Sequence, residues 1–149
     1  LQMGAVNAGA SSVDQEHIYQ FGKHLGIAFQ LLDDTLDAYS SDEKSFGKQI
    51  GGDIIANKKT FLVLKALELA NVEQAKKLNE LMSKNKGDNA KKIQSVLSIF
   101  NELGVKALCE AEADKHTKIA IDHLMKANAD RTKLKTLENF SLALLKRNI

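Results

Sequence analysis

An all-α fold is predicted for this 149-residue chain by three properties of its composition. The sequence contains no proline, only 5% of its residues are aromatic, and its 44% hydrophobic content is rich in alanine and leucine. Proline interrupts helices more strongly than any other residue, so nothing breaks the periodic segments of this chain. At this length a single helical domain over residues 1–149 is expected.

The first two predicted helices are separated by a glycine and two serines. Residues 1–9 should form the last turns of one helix, which ends near Gly9. Ser11 or Ser12 then caps a long helix over about residues 13–39, since a serine oxygen can accept a hydrogen bond from an exposed backbone N–H. Gln15 stands three residues after Ser12, which is the spacing of a capping box.

A loop separates the long helix from the rest. Residues 40–57 lack helical periodicity, so they are predicted to form a loop with a short helical piece. Asn57 and Asn71 are the predicted N-caps of the next two helices, and the polar run 84–89 is a predicted surface turn. The helices after the loop are predicted at about residues 59–70, 72–84, 89–103, 105–127 and 133–147.

The faces of the long helix differ in character. Large apolar residues cover most of its circumference, which predicts a central, buried helix: Ile18, Phe21, Leu25, Ile27, Leu31, Leu32 and Leu36. Small and polar residues occupy the remaining stripe: Gly22, Gly26, Gln30, Asp33 and Asp37. A glycine inside a helix costs about 1 kcal/mol relative to alanine, so the two glycines indicate that a ligand or another helix approaches closely there.

Three acids near the end of this helix, Asp33, Asp34 and Asp37, are the first candidates for a functional site. Acids spaced three and four apart usually form a solvated helix face. These lie in an apolar segment, and Asp37 is near the helix C-terminus, where the macrodipole disfavours negative charge. A hard divalent cation would relieve their repulsion, and Mg²⁺ commonly binds one or two carboxylates together with substrate phosphates.

Lysines follow the acids. A surface position is the usual explanation for any one lysine, but clustering after the acids favours a role for Lys48 and Lys58. Residues 47–53 are not a P-loop, because no glycine precedes Gly47 by five residues and Gln49 stands where Ser or Thr is required.

The four histidines are predicted to be structural or exposed. His17 and His24 point away from the acids around the long helix. His116 and His123 are about 10.5 Å apart along the predicted helix that contains them, which is too far for them to share one metal ion.

The charge balance and the single cysteine exclude several functions. A net charge of +2 is too small to indicate a general nucleic-acid or membrane-surface binder. Cys109 cannot form an internal disulfide and is expected to be a buried packing residue. No secretory signal and no run of about 18 apolar residues occurs in the sequence, so a cytoplasmic location is expected.

Together the motifs resemble the second aspartate-rich region of the trans-isoprenyl diphosphate synthases, or polyprenyl synthetases. The joint pattern is far more specific than any of its pieces: Gly22-x-x-x-Gly26, Phe29-Gln30-x-x-Asp33-Asp34-x-x-Asp37, Gly47-Lys48-x-x-Gly51-x-Asp53 and Lys58-x-Thr60. The resemblance implies an all-helical bundle of which this sequence is the C-terminal half, in a single isoprenoid synthase-type domain. It implies a Mg²⁺-dependent prenyltransferase that joins an allylic diphosphate to isopentenyl diphosphate, commonly as a homodimer.

The resemblance also implies roles for individual residues. Asp33, Asp34 and Asp37 are the expected metal ligands, with Asp33 the most direct, and Asp53 would hold metal-bound waters or a lysine. Lys48 and Lys58 would contact the allylic diphosphate. Phe29 and Gln30 of the long helix would bind the substrate, with Gln30 near the reacting carbons. A short-chain product, farnesyl or geranylgeranyl diphosphate, is expected.

The family's first aspartate-rich motif and its isopentenyl diphosphate site have no counterpart in these residues. The sequence is therefore expected to be a fragment without prenyltransferase activity of its own, which turnover by the isolated 149-residue chain would contradict. Three alternatives remain at this point. They are a non-catalytic subunit of a heteromeric prenyl synthase, a terpene cyclase, and a helical scaffold whose acids are solvated surface.

Overall fold

The computed structural model describes residues 1–40, 50–83 and 87–146. Within these ranges the chain forms eight α-helices and no β-strand, which confirms the predicted all-α class. The helices are α1 (Gln2–Asn7), α2 (Ser12–Tyr39), α3 (Gly52–Ile55), α4 (Phe61–Leu69), α5 (Val72–Ser83), α6 (Asn89–Glu102), α7 (Val105–Lys126) and α8 (Arg131–Lys146). None of the helices in the described ranges is both long and apolar enough to cross a membrane.

Side-chain caps fix several helix starts. Ser11 Oγ accepts the backbone N–H of Asp14 at 3.1 Å, so Ser11 rather than Ser12 caps α2. Gln15 does not complete a capping box with Ser12, since its side chain donates to the carbonyl of Ala10. Asn71 caps α5 as predicted, because its Oδ1 accepts the N–H of Gln74 at 2.9 Å.

The prediction that Asn57 caps the next helix is wrong. Thr60 is the N-cap of α4, and its hydroxyl accepts the N–H of Val63. Asn57 instead has a left-handed backbone with φ of 55°. Asparagine tolerates that conformation better than most residues, which is why a plausible capping residue can serve as a turn residue.

One compact unit contains the described residues of 1–32 and 111–146. Its core is a cluster of buried side chains from α2, α7, α8 and the segment between the last two: Phe21, Ala120, Leu124, Ala127 and Leu134. Asp14 joins the start of α2 to the segment between α7 and α8, since its Oδ1 accepts the N–H of Asn128 at 2.7 Å. The close approach predicted at the helix glycines occurs at Gly22, where an added Cβ would lie 3.0 Å from Leu1 Cδ1. At Gly26 no described atom lies within 4 Å of such a Cβ.

The other unit contains the described residues of 33–110. Helix α6 packs against α3, α4 and α5. The buried side chains of this unit include Leu62, Leu78, Val96, Phe100 and Cys109, so the cysteine is a packing residue as predicted. Burial raises the pKa of the Cys109 thiol, which keeps it protonated and unreactive.

The histidines form two contacts between α2 and α7 that the sequence did not predict. Nδ1 of His24 lies 2.6 Å from Nδ1 of His116, and Nδ1 of His17 lies 3.1 Å from Nδ1 of His123. In each pair one nitrogen must carry a proton and the other must accept it. A second proton on either pair would therefore place two N–H groups against each other.

This arrangement predicts acid-sensitive stability. Burial, followed by the charges of His116, Lys23 and His123, lowers the pKa of His24. The unfolded chain, with an ordinary histidine pKa of about 6.5, takes up the proton first. The stabilising contribution is thus complete above about pH 6.5 and is lost as the pH falls through the lowered pKa of the folded state.

We expect the free energy of unfolding to fall as the pH drops below about 6.5, and the slope to be shallower in His24→Gln. Urea unfolding at several pH values measures both slopes. Equal slopes in the wild type and His24→Gln would contradict the prediction.

Candidate active site

The three acids lie in the last turns of α2, within the unit that contains the described residues of 33–110. Asp34 and Asp37 are buried, with 7% and 8% of their surface exposed, and Asp33 is half-buried. The three carboxylates therefore do not form a solvated helix face. This excludes the alternative that they are the solvated surface acids of a helical scaffold. Carboxylates in such surroundings need hydrogen bonds or cations to remain charged.

Asp37 is bound to the start of α3. Its carbonyl accepts the N–H of Gly51 at 2.6 Å, and its Oδ2 accepts the N–H of Asp53 at 2.9 Å. Burial raises the pKa of this carboxyl; the N–H of Asp53 opposes the shift, while the nearby charges of Asp53 and Asp33 add to it. Asp37 thus joins the end of α2 to the turn that carries the remaining site residues.

Asp53 and Lys58 form an ion pair within that turn. The N–H of Lys58 also donates to the carbonyl of Asp53 at 2.9 Å. The hydrogen bond and charge of Asp53 raise the pKa of the exposed Lys58 ammonium, and the charges of Asp37 and Asp34 contribute in the same direction. Hydrogen bonding and ion pairing therefore join Asp37, Asp53 and Lys58, with the lysine at the solvent-facing edge. Asp33 acts by its charge on the pKa of Asp37, and Asp34 on that of Lys58.

Two glycines allow the turn to pack closely. Gly51 has φ of +70°, and a Cβ on it would lie 2.7 Å from Cδ1 of Ile93 on α6. At Gly52 a Cβ would lie 3.2 Å from Asp37 Oδ1, so a side chain would crowd the carboxylate that holds α3. Glycine at these two positions lets the backbone lie against both α6 and Asp37.

Lys92 is the residue near this turn that sequence reasoning missed. It is buried on α6, and its Nζ donates to Asn57 Oδ1 at 2.5 Å and to the carbonyl of Ile55 at 3.4 Å. One signal was present in the sequence, because Lys92 falls four residues before the buried Val96, on the apolar face of the helix. A lysine at such a position needs a polar partner.

Of the other predicted site residues, the structure describes Phe29 and Gln30 but not Lys48. Phe29 is half-buried and Gln30 is exposed, both on α2 ahead of the acids. Lys48 lies outside the described residues, as does Gly47. Within the described ranges no group of three or more His, Cys, Asp or Glu side chains is arranged to hold a metal ion.

Comparison with known proteins gives the same family by sequence and by structure. The sequence model of the polyprenyl synthetase family matches residues 1–100. The geranylgeranyl diphosphate synthase of Sulfolobus acidocaldarius is 35% identical over 144 residues, which is 94% of this chain and 43% of that protein.

Two solved structures share the fold. A geranylgeranyl pyrophosphate synthase superposes with a TM-score of 0.86 at 37% identity, over 98% of this chain and 45% of that one. The geranylgeranyl pyrophosphate synthase of Corynebacterium glutamicum, solved with calcium and isoprenyl diphosphate, has a TM-score of 0.78 at 25% identity, over 98% of this chain and 44% of that one. The chain spans less than half the length of these proteins, and it belongs to the polyprenyl synthetase family.

Proposed function

We propose that this chain contributes the second aspartate-rich half of the active site of a prenyltransferase. The reaction joins an allylic diphosphate to isopentenyl diphosphate, extends the prenyl chain by five carbons and releases pyrophosphate. The observation that carries the proposal is the acidic end of α2, where Asp37 binds the N–H of Asp53, the ion-pair partner of Lys58, in a chain of this family. A farnesyl or geranylgeranyl product is proposed, since matched proteins are named for the geranylgeranyl reaction.

The donor set fits a hard divalent cation, and we propose Mg²⁺. Carboxylate oxygens are its preferred protein ligands, and one or two of them are commonly enough when substrate phosphates and water complete the shell. The lack of a preformed three-ligand group in the described residues is compatible with that mode of binding. Asp33 is the proposed direct ligand, with Asp34 and Asp37 direct or through water, and the bound ions would neutralise the diphosphate leaving group.

The residues of the turn have complementary roles in this proposal. Lys58, the exposed member of its ion pair, is positioned to exchange Asp53 for a diphosphate oxygen. Asp53 holds the lysine until that exchange, and Asp37 holds the backbone of both. Lys48 is proposed as a second diphosphate contact, and Phe29 and Gln30 as contacts of the prenyl group.

We also propose a cytoplasmic homodimer for the complete gene product. Size-exclusion chromatography with light scattering tests the dimer: a mass of two chains is expected, and a monomer would contradict it. A requirement for a second, different polypeptide would instead indicate a heteromeric synthase.

The function is tested with the complete gene product, labelled isopentenyl diphosphate and either geranyl or farnesyl diphosphate. Elongation is expected with Mg²⁺, and none after chelation with EDTA. Release of a cyclic hydrocarbon without incorporation of isopentenyl diphosphate would identify a terpene cyclase. Failure to elongate any allylic diphosphate in the presence of Mg²⁺ would refute the proposal.

A further inference from the structure

Lys92 is a buried cation that the proposed reaction does not use directly. Only 9% of its surface is exposed, and burial lowers its pKa. Lysine is rarely buried to this extent, because removing an ammonium from water is unfavourable unless polar groups replace the water. Two of the groups that do so here belong to the turn between α3 and α4.

Two hydrogen-bond acceptors of this ammonium lie in one short segment. The carbonyl of Ile55 is at the last residue of α3, where helix carbonyls lack partners within the helix. Asn57 Oδ1 accepts the shorter hydrogen bond, at 2.5 Å. The backbone of Asn57 is left-handed, with φ of 55°. Such a backbone is unfavourable for a non-glycine residue, so a charge-assisted hydrogen bond to its side chain helps to hold it.

The segment lies between the two charged residues of the proposed diphosphate site. Asp53 and Lys58 are five residues apart, so the backbone of residues 54–57 sets whether they meet. The N–H of Lys58 reaches the carbonyl of Asp53 only because the chain reverses at Asn57. A change in the φ of Asn57 would turn the Lys58 side chain away from Asp53.

We propose that Lys92 is a positioning residue, which places Lys58 for diphosphate binding by bonding Ile55 and Asn57 of the intervening turn. This inference rests on the proposed function of Lys58. Lys92 does not touch the substrate; it acts through the backbone conformation of residues 55–57. The consequence is a specific effect on affinity for the allylic diphosphate.

The test is Lys92→Met in the complete gene product, which keeps the buried alkyl chain and removes the ammonium. We expect KM for the allylic diphosphate to rise about ten-fold, which is the loss of affinity equivalent to one charge-assisted hydrogen bond. The change in kcat should be smaller. Lys92→Arg should stay nearer the wild type. Lys91→Met is the matched control, since Lys91 is the exposed neighbour and pairs only loosely with Asp88 at 3.7 Å.

A second substitution separates positioning from a general loss of stability. Glycine adopts positive φ freely, so Asn57→Gly should hold the turn without Lys92. In the double variant Asn57→Gly with Lys92→Met we expect KM to return to within about three-fold of the wild type, while the unfolding midpoint stays lowered. If the rise in KM accompanies the loss of stability and the glycine reverses neither, Lys92 is only structural and the inference is overturned.

The turn can also be perturbed without changing Lys92. If Lys92→Met does not fold, Asn57→Ala should raise KM and Asn57→Gly should not; equal KM values for these two variants would overturn the inference. An unchanged KM in folded Lys92→Met overturns it as well. The proposed function fails separately, through the absence of elongation by the wild type.

Discussion

Replacing Asp33 with alanine is expected to lower kcat of the complete gene product by about 10²–10³-fold, the range observed when one group that stabilises transition-state charge is removed. Asp33 is the half-buried member of the three acids, and Asp37 is already bound to the N–H of Asp53. Asp33 is thus the most exposed of the three carboxylates, which agrees with its proposed role as the direct metal ligand. Its loss should weaken charge stabilisation on the leaving diphosphate without disturbing α3.

Steady-state kinetics at saturating Mg²⁺ measure this effect, together with the Mg²⁺ concentration that gives half-maximal rate. Asp114→Ala is the matched control, because Asp114 is an exposed acid within helix α7. The control should keep nearly the full rate, and both variants should unfold near the wild-type midpoint. A nearly full rate in Asp33→Ala would show that the site is assigned wrongly.

The second large effect is expected at Gly51, where alanine should destabilise the protein by roughly 2–5 kcal/mol. A left-handed backbone costs a non-glycine residue about 1–2 kcal/mol. Crowding of the new methyl group against Ile93, 2.7 Å away at Cδ1, adds about 1–3 kcal/mol. Thermal unfolding should show a midpoint lowered by roughly 4–20 °C, and urea unfolding an equivalent decrease.

Two further variants make this prediction specific. Gly26→Ala is the matched control, since Gly26 lies inside a helix with no described atom near the new methyl group, and it should stabilise by about 0.5–1 kcal/mol. Ile93→Ala removes the crowding atoms, so the double variant with Gly51→Ala should be less destabilised than the sum of the single variants. Strict additivity would show that contact with Ile93 is not the cause.

Much of the architecture followed from local patterns. The absence of proline and the helical periodicity of the apolar residues predicted seven of the described helices within a few residues, including the long α2. The short α3 was predicted only as a helical piece somewhere within the loop. These features are local because helix hydrogen bonds join residues four apart. The aspartate-rich motif was found in the same way, since its acids occupy adjacent turns of one helix.

The contacts of the site residues did not follow from local patterns. Asp37 was predicted as a metal ligand, a role that stays a prediction, and the structure shows it holding the backbone of a residue 16 positions later. Asn57 looked like a helix cap because asparagine suits caps and left-handed turns equally. Only the packing of α6 against the turn, which brings Lys92 to Asn57 across 35 positions, decided between the two.

The sequence by itself determined the helical class, the order of the helices and the acidic motif that marks the family, because each depends on residues within a few turns of one another. The tertiary structure alone decided which carboxylates are buried, which lysine meets Asp53 and how the histidines pair, with His17 and His123 separated by 106 positions. Such contacts depend on how separate helices pack, and helical periodicity identifies a buried face without naming what lies against it.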